Sequence, residues 1–265
     1  MNRDISISRN ARIPILNVEV DNITMDELVT NFDNGALLTL HVDMIMKLQK
    51  DRDFYDILSE FDIITCDSQI LYFAARILGT PFMERVSGAD FFPRYYMHHR
   101  NSETVKIFLC GGNPGVAEIA QSNINARVGR EIIVGTCSPP FDFDHREEEI
   151  DKIVDQVNAT RATVLLVGLG SGRQEKFIVK NRDRFEHVKT FLPLGGTIDY
   201  EAKTLKRPPA WISNMGLEWL YRLVIEPRRR WYRYLVHQPP VLYYLLAQKL
   251  GFYKNPFATA TNQYD

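Results

Sequence analysis

Cysteine is scarce in this chain: only three occur, at positions 66, 110 and 137. They stand in no CxxC or Cys/His spacing, so neither a disulfide framework nor a structural zinc site is supported, and a reducing compartment is the simplest reading. Long apolar runs are missing too. The longest, 241–252, is interrupted by Gln248 and Lys249 and falls short of the roughly 20 residues that cross a bilayer. The first twelve residues are polar and lack the apolar core of a secretory leader, so the expectation is a cytoplasmic protein. There is no GxGxxG, no HExxH, no internal repeat and no low-complexity segment. The six histidines (41, 98, 99, 145, 187 and 237) make no metal-ligand pattern, and no cofactor is implied.

An excess of one charge is absent overall, the net charge being −1, but it is present locally. Between residues 203 and 254 ten Lys or Arg face two acids, a segment of +8, which leaves −9 for the rest. Such asymmetry points to a basic face that meets a polyanion. The 45% hydrophobic and 25% charged content is that of a globular protein and excludes global disorder.

Short apolar runs alternating with helical periodicity fill residues 13–196. Strands are expected at 36–41, 61–66, 105–110, 132–136, 163–168 and 190–194, and helices at 42–50, 69–78, 114–128, 146–159 and 174–185. The strand runs are almost continuously apolar, as befits strands covered on both faces. The pattern predicts an α/β domain over 1–200 with a Rossmann-like, mostly parallel sheet. A helical, basic, membrane-associating appendage is expected over 201–265. Its Trp, Tyr and Leu at helical spacing, among the cations, suit a membrane headgroup zone better than nucleic acid.

Ligands of such sheets bind beyond the carboxyl ends of the strands, which singles out the turns that follow them. Gly111-Gly112-Asn113-Pro114-Gly115 could seat a phosphate on backbone N–H groups, or be an ordinary strand-to-helix turn. Gly168-Leu-Gly170-Ser-Gly172-Arg173-Gln174-Glu175 is a stronger candidate, since its glycines leave little side chain to pack and it adds an amide and a cation. Gly195-Gly196-Thr197 is the third such turn. Asp67, at the rim beside apolar walls, reads either as a general base or as a helix N-cap. The triplets Asp51-Arg-Asp53 and Asp142-Phe-Asp144 could hold a divalent cation, but their settings favour capping and dipole compensation. A nicotinamide-dependent oxidoreductase would share the sheet but needs the missing dinucleotide fingerprint.

From about Ile13 to Tyr234 the chain resembles the WecG/TagA/CpsF family of glycosyltransferases. The resemblance rests on Thr39-Leu-His-Val-Asp43, Cys66-Asp67, Glu84-Arg-Val-Ser-Gly88-Ala-Asp90, Phe108-Leu-Cys-Gly-Gly-Asn-Pro-Gly115 and Ser138-Pro-Pro-Phe141. It is made specific by Val167-Gly-Leu-Gly-Ser-Gly-Arg-Gln-Glu175 followed by Gly216-Leu-Glu-Trp-Leu-Tyr-Arg222. The resemblance implies an inverting, metal-independent transfer of a hexose, N-acetylhexosamine or uronic acid from a UDP-sugar to a saccharide on a polyprenyl diphosphate, in surface polysaccharide assembly. It makes Asp67 the base, with Thr39 and Gln174 shaping the pocket. Substrate binding would fall to His41, Gly111, Gly112, Gly170, Arg173, Gly195, Gly196 and Arg207, and to Arg222 and Arg229 from the appendage, with the UDP diphosphate across the glycine turns. A third family arginine falls on Tyr232, beside Arg233. The implied partners are donor, lipid-linked acceptor and the anionic inner face of the cell membrane, with no nucleic acid; a homo-oligomer is compatible.

The chain departs from the family at Ser68 (usually Gly), His41 (often Asn), Gly172-Arg173 (usually Pro-Lys) and Pro208 (usually Ala). These departures bear on sugar identity more than on fold. The alternative they leave is a diverged nucleotide-sugar-binding peripheral membrane protein with weak or no activity.

Overall fold

A run such as Val-Leu-Leu-Val has no polar side to turn to water, so it is stable only between two apolar layers. The computed structural model, which describes residues 11–258, sets six such runs side by side. They are β3 (Gly35–Leu40), β4 (Ile63–Cys66), β5 (Ile107–Gly111), β6 (Ile133–Cys137), β7 (Val164–Gly168) and β8 (Thr190–Leu192). The spatial order is β4-β3-β8-β7-β5-β6, and every pair is parallel. Side chains alternate between two cores. Phe108, Cys110, Leu165 and Val167 enter one, and Ile107, Leu109, Val164 and Leu166 the other, as the period of two requires. The expected Rossmann-like α/β sheet is present, and each of the six expected strands overlaps an observed one.

A hairpin of β1 (Ile13–Ile15) and β2 (Val18–Val20) adds a separate two-stranded sheet. Its turn holds Leu16 at φ 55°, a setting that usually belongs to Gly or Asn. The helix Met25–Asn31 begins with a full capping box between Thr24 and Glu27, and Gly88–His98 begins at Ser87, whose hydroxyl accepts from Asp90 N.

The segment expected as a separate appendage divides in two. Residues 210–238 form the helices Ala210–Asn214, Glu218–Ile225 and Pro227–Tyr232 and a π-helical turn, Arg233–His237. This part lies over the carboxyl ends of β3 and β4, where Trp219, Arg222 and Arg233 face His41 and Asp67 across a cleft. The helix Pro240–Lys249 instead returns to the α/β body. Its Val241 and Leu245 are buried in the core. Gln248 accepts from Leu16 N at 2.9 Å and donates to Pro14 O at 3.0 Å, and Tyr253 donates to Gln49 at 2.7 Å. The last helix thus shares the core of the α/β body. Among the described residues no helix is long and apolar enough to cross a membrane. Large apolar side chains are nevertheless exposed along this half, among them Trp211, Val224, Trp231, Leu235, Leu242 and Phe252.

Candidate active site

The three glycine turns end adjacent strands and pack backbone against backbone. A Cβ on Gly111 would lie 2.3 Å from the Gly168 carbonyl oxygen, and one on Gly168 would lie 3.0 Å from that of Gly195. Close approach alone thus accounts for Gly111, which also sits at φ 133°. Gly170 is different: it takes φ 93° and faces open space. Gly112 N donates to Gly168 O at 3.4 Å, and Gly196 precedes the short helix Thr197–Glu201. The structure therefore brings together the turns that sequence reading singled out.

Gln174 lies buried beneath this rim. Its amide nitrogen donates to Pro193 O at 2.9 Å and to Glu175 Oε1 at 2.8 Å, while its Oε1 is buried without a partner. Glu175 accepts from Gly172 N; burial, against the pull of these hydrogen bonds and of Lys47, pushes its carboxyl up to about 7. Lys47 donates to Ser171 O at 2.7 Å. A Cβ at position 172 would come within 2.0 Å of its Nζ, so the glycine there leaves room for this lysine.

Arg173, expected as a substrate contact, is engaged elsewhere. Its Nε and Nη2 reach the two oxygens of Asp144 at 2.9 and 2.8 Å, and it stacks over Phe141 and Phe143. The D-x-D triplets are similarly committed: Asp142 pairs with Arg146, and Asp51 accepts from Phe54 N and pairs with Lys176. Among the described residues no three His, Cys, Asp or Glu side chains gather as a metal site.

Asp67 ends the edge strand β4. Sequence left it between base and N-cap; the cap of helix Gln69–Leu78 is Ser68, whose hydroxyl accepts from Leu71 N. Ser68 thus relieves the aspartate of that task. The Asp67 side chain stays 30% exposed toward the cleft, with Arg85 Nη1 at 3.7 Å from its Oδ1 and 3.0 Å from its backbone oxygen. Burial raises its carboxyl to about 7; Arg85 and Arg222 oppose that rise, and Glu218 and Asp90 add to it. Arg85 also approaches Asp90 at 3.6 Å. Thr39, one strand inward and buried, pairs with Thr65 in the ladder and stands against Gly88.

His41 precedes the helix Val42–Lys47 without capping it. Burial pushes its imidazole well below its usual range, Asp43 opposes this, and Arg233, Lys47 and Arg222 reinforce it. It is neutral at pH 7 and its Nδ1 is buried without a hydrogen bond. Asp43 gathers the cover. It pairs with Arg233, accepts from Gln238 Nε2 at 2.9 Å and lies 3.6 Å from His237 Nδ1. Burial alone would raise this carboxyl; Arg233, His41 and Gln238 together hold it below its ordinary value.

Arg222 pairs with Glu218 and donates to Tyr200 OH. Since Tyr200 belongs to the helix that follows Gly195-Gly196, Arg222 stands between the glycine rim and Asp67. Arg207 pairs with Asp90 at 2.9 Å and lies over the Tyr200 ring. The Arg229 side chain lies outside the described residues. Tyr232, where a third arginine was sought, is exposed, and it is Arg233 that lines the cleft. Sequence reading gave no site role to Arg85, Asp43, Glu218 or Arg233, although each had a signal: Arg85 in the stretch Glu84–Asp90, Asp43 at the end of Thr39–Asp43, Glu218 within Gly216–Arg222, and Arg233 beside Tyr232.

Residues 13–255 match the profile described as the glycosyl transferase WecG/TagA/CpsF family. An N-acetylglucosaminyldiphosphoundecaprenol N-acetyl-beta-D-mannosaminyltransferase of Bacillus subtilis (strain 168) is 28% identical over 232 residues, 86% of this chain and 87% of that protein. A protein of the same description from Staphylococcus aureus (strain MRSA252) is 25% identical over 236 residues, 84% and 88% of the two chains.

Proposed function

The chain belongs to the WecG/TagA/CpsF family of glycosyl transferases, and from that premise we propose that it moves an N-acetylhexosamine from a UDP-sugar onto a sugar carried by a polyprenyl diphosphate. The names of the relatives, an N-acetylmannosaminyl donor group and an N-acetylglucosaminyldiphosphoundecaprenol acceptor, support both substrate classes. In this reading the UDP diphosphate lies across the glycine turns, met by backbone N–H groups and by Arg222. The acceptor hydroxyl gives its proton to Asp67. Its oxygen forms the new bond to the anomeric carbon while the bond from that carbon to the β-phosphate oxygen breaks, its electron pair leaving with UDP. Attack from the face opposite UDP inverts the anomeric centre.

The observation that carries this reading is Asp67: a carboxylate freed from capping, open to a cleft, and titrating at about 7. A base of that strength is half-ionised near neutral pH, where general-base transfer is most effective. The exposed aromatic and apolar side chains, with the +8 segment, support a second part of the proposal: the enzyme lies on an anionic membrane surface where the lipid-linked acceptor resides. The test is to incubate the purified chain with a panel of UDP-sugars and N-acetylglucosaminyl-diphosphate-polyprenol. The expected result is UDP release matched by a lipid-linked disaccharide. Absence of transfer from every UDP-sugar, with the acceptor present in bilayers, would sink the proposal.

A further inference from the structure

The sheet order fixes more than the seat of the donor. β8, β7 and β5, which carry the glycine turns, all lie on one side of β3, and β4, which carries Asp67, lies on the other and ends the sheet. Strands stand about 4.8 Å apart, so a sugar held over β3 by a diphosphate on β8 and β7 presents its free face toward β4 and what lies past it. An attacking hydroxyl that enters opposite the leaving diphosphate must come from there.

That side of Asp67 holds a second cleft, of about 320 Å³, lined by Gln69, Tyr72, Glu84, Arg85, Asp90 and Arg94 among others. Gln69 and Arg85 belong to both clefts, and Arg85 spans from Asp67 to Asp90. Its volume is at the small end of ligand sites. Its charges nearly balance, two arginines against two acids, which suits an uncharged ring of hydroxyls better than a diphosphate. The Gln69 amide makes no hydrogen bond among the described residues. Among the described residues Arg94 pairs only with Asp26, at 3.2 Å in an exposed pair, and such a pair is readily exchanged for a ligand. Met83, which lines the cleft, and Phe73 and Ile77, on the helix that carries Gln69, are exposed, an apolar margin for an isoprenoid.

We infer that this outer cleft binds the pyranose ring of the acceptor, with Gln69 and Arg94 reading its hydroxyl or acetamido groups and Arg85 aligning the attacking oxygen with Asp67. The inference rests on the donor reading given above and names the second substrate's place.

The test uses Gln69→Ala and Arg94→Ala in the full chain. UDP affinity is measured by calorimetry, and the acceptor KM with N-acetylglucosaminyl diphosphate on a short isoprenoid chain. Each variant is expected to raise the acceptor KM about tenfold, the effect of one lost polar contact, with UDP affinity unchanged and kcat at saturating acceptor within a few-fold of the parent. Acceptor KM within twofold of the parent in both variants overturns the inference, as does a parallel loss of UDP affinity, which would make the cleft part of the donor site. Failure of the unmodified chain to bind UDP at all would instead bring down the donor reading, and this inference with it.

Discussion

Replacing Asp67 by Asn keeps the side chain's size and removes only its capacity to take a proton. Because Ser68 caps the following helix, the substitution leaves that helix intact, and the thermal midpoint should stay close to the parent's. Turnover should fall by about 10²–10⁴, the usual worth of a general base. The pH profile makes the claim sharper. With a carboxyl at about 7, kcat/KM of the parent should climb through neutrality: at pH 6 about a tenth of the base is ionised, and at pH 8 about nine-tenths. In Asp67→Asn the residual rate should lose this limb. Arg85 supplies a check on the cause. Its guanidinium, 3.7 Å away, favours the ionised carboxylate, so Arg85→Gln should move the limb to higher pH. The bare Coulomb attraction at that distance is about 4 kcal/mol at an effective dielectric of 20. Solvent reaching the 30% exposed carboxylate screens most of it, leaving about one pH unit. The assay is initial-rate UDP release from pH 5.5 to 9 at low acceptor concentration. A parent profile flat across neutrality, or an Asp67→Asn enzyme of full turnover, would refute the assignment.

Further expectations concern metal, stability and membrane. Transfer should persist in EDTA, since no three metal-binding side chains meet among the described residues; a strict Mg²⁺ or Mn²⁺ requirement would contradict this. Glu175 is fully buried and its carboxyl is raised from an ordinary 4.5 to about 7. Between those pH values the folded state keeps a proton that the unfolded chain has lost, so stability falls as pH rises through that window and levels off above it. The drop is roughly 3 kcal/mol at most, and urea unfolding of Glu175→Gln at pH 5 and pH 8 should show it largely gone. Leu245→Ala should cost about 2–5 kcal/mol as a core truncation, whereas a freely hanging tail would register almost nothing. Replacing Trp211, Val224, Trp231 and Leu235 together by serine should leave the fold intact and abolish sedimentation with anionic liposomes. Retained sedimentation would remove the membrane from the proposal.

The sheet was legible because parallel strands buried on both faces write themselves as unbroken apolar runs, and Val164–Gly168 could hardly be anything else. The glycine turns were legible for a related reason: strand ends that nearly touch tolerate no Cβ, as at Gly111. The hairpin at 13–20 was not, because its turn uses Leu16 where the usual signal is glycine. Sequence could not decide whether Asp67 is a base or the cap of the next helix, since aspartate caps well; only the backbone geometry, which puts Ser68 at the cap, assigns the task. The Asp43 cluster was invisible for a different reason. Its partners Arg233 and Gln238 lie some 190 residues away, and no local pattern announces a contact made by folding the cover back onto β3. Which face of residues 240–249 meets the body was not legible, because exposed apolar residues and buried ones alternate there, Leu242 beside Val241, and composition alone does not tell them apart.

The position of β8 has a consequence for how this protein is made. Residues 190–192 are the wedge between β3 and β7, so as the chain leaves the ribosome β3-β4 and β5-β6-β7 can form only as two unjoined half-sheets, each with an open hydrogen-bonding edge. At about 5–20 residues per second, the stretch between Leu40 and Thr190 keeps the inner edge of β3 unpaired for roughly 7–30 seconds. It is during this interval, before residue 190 emerges, that β3 is open to pairing with a strand of another nascent chain.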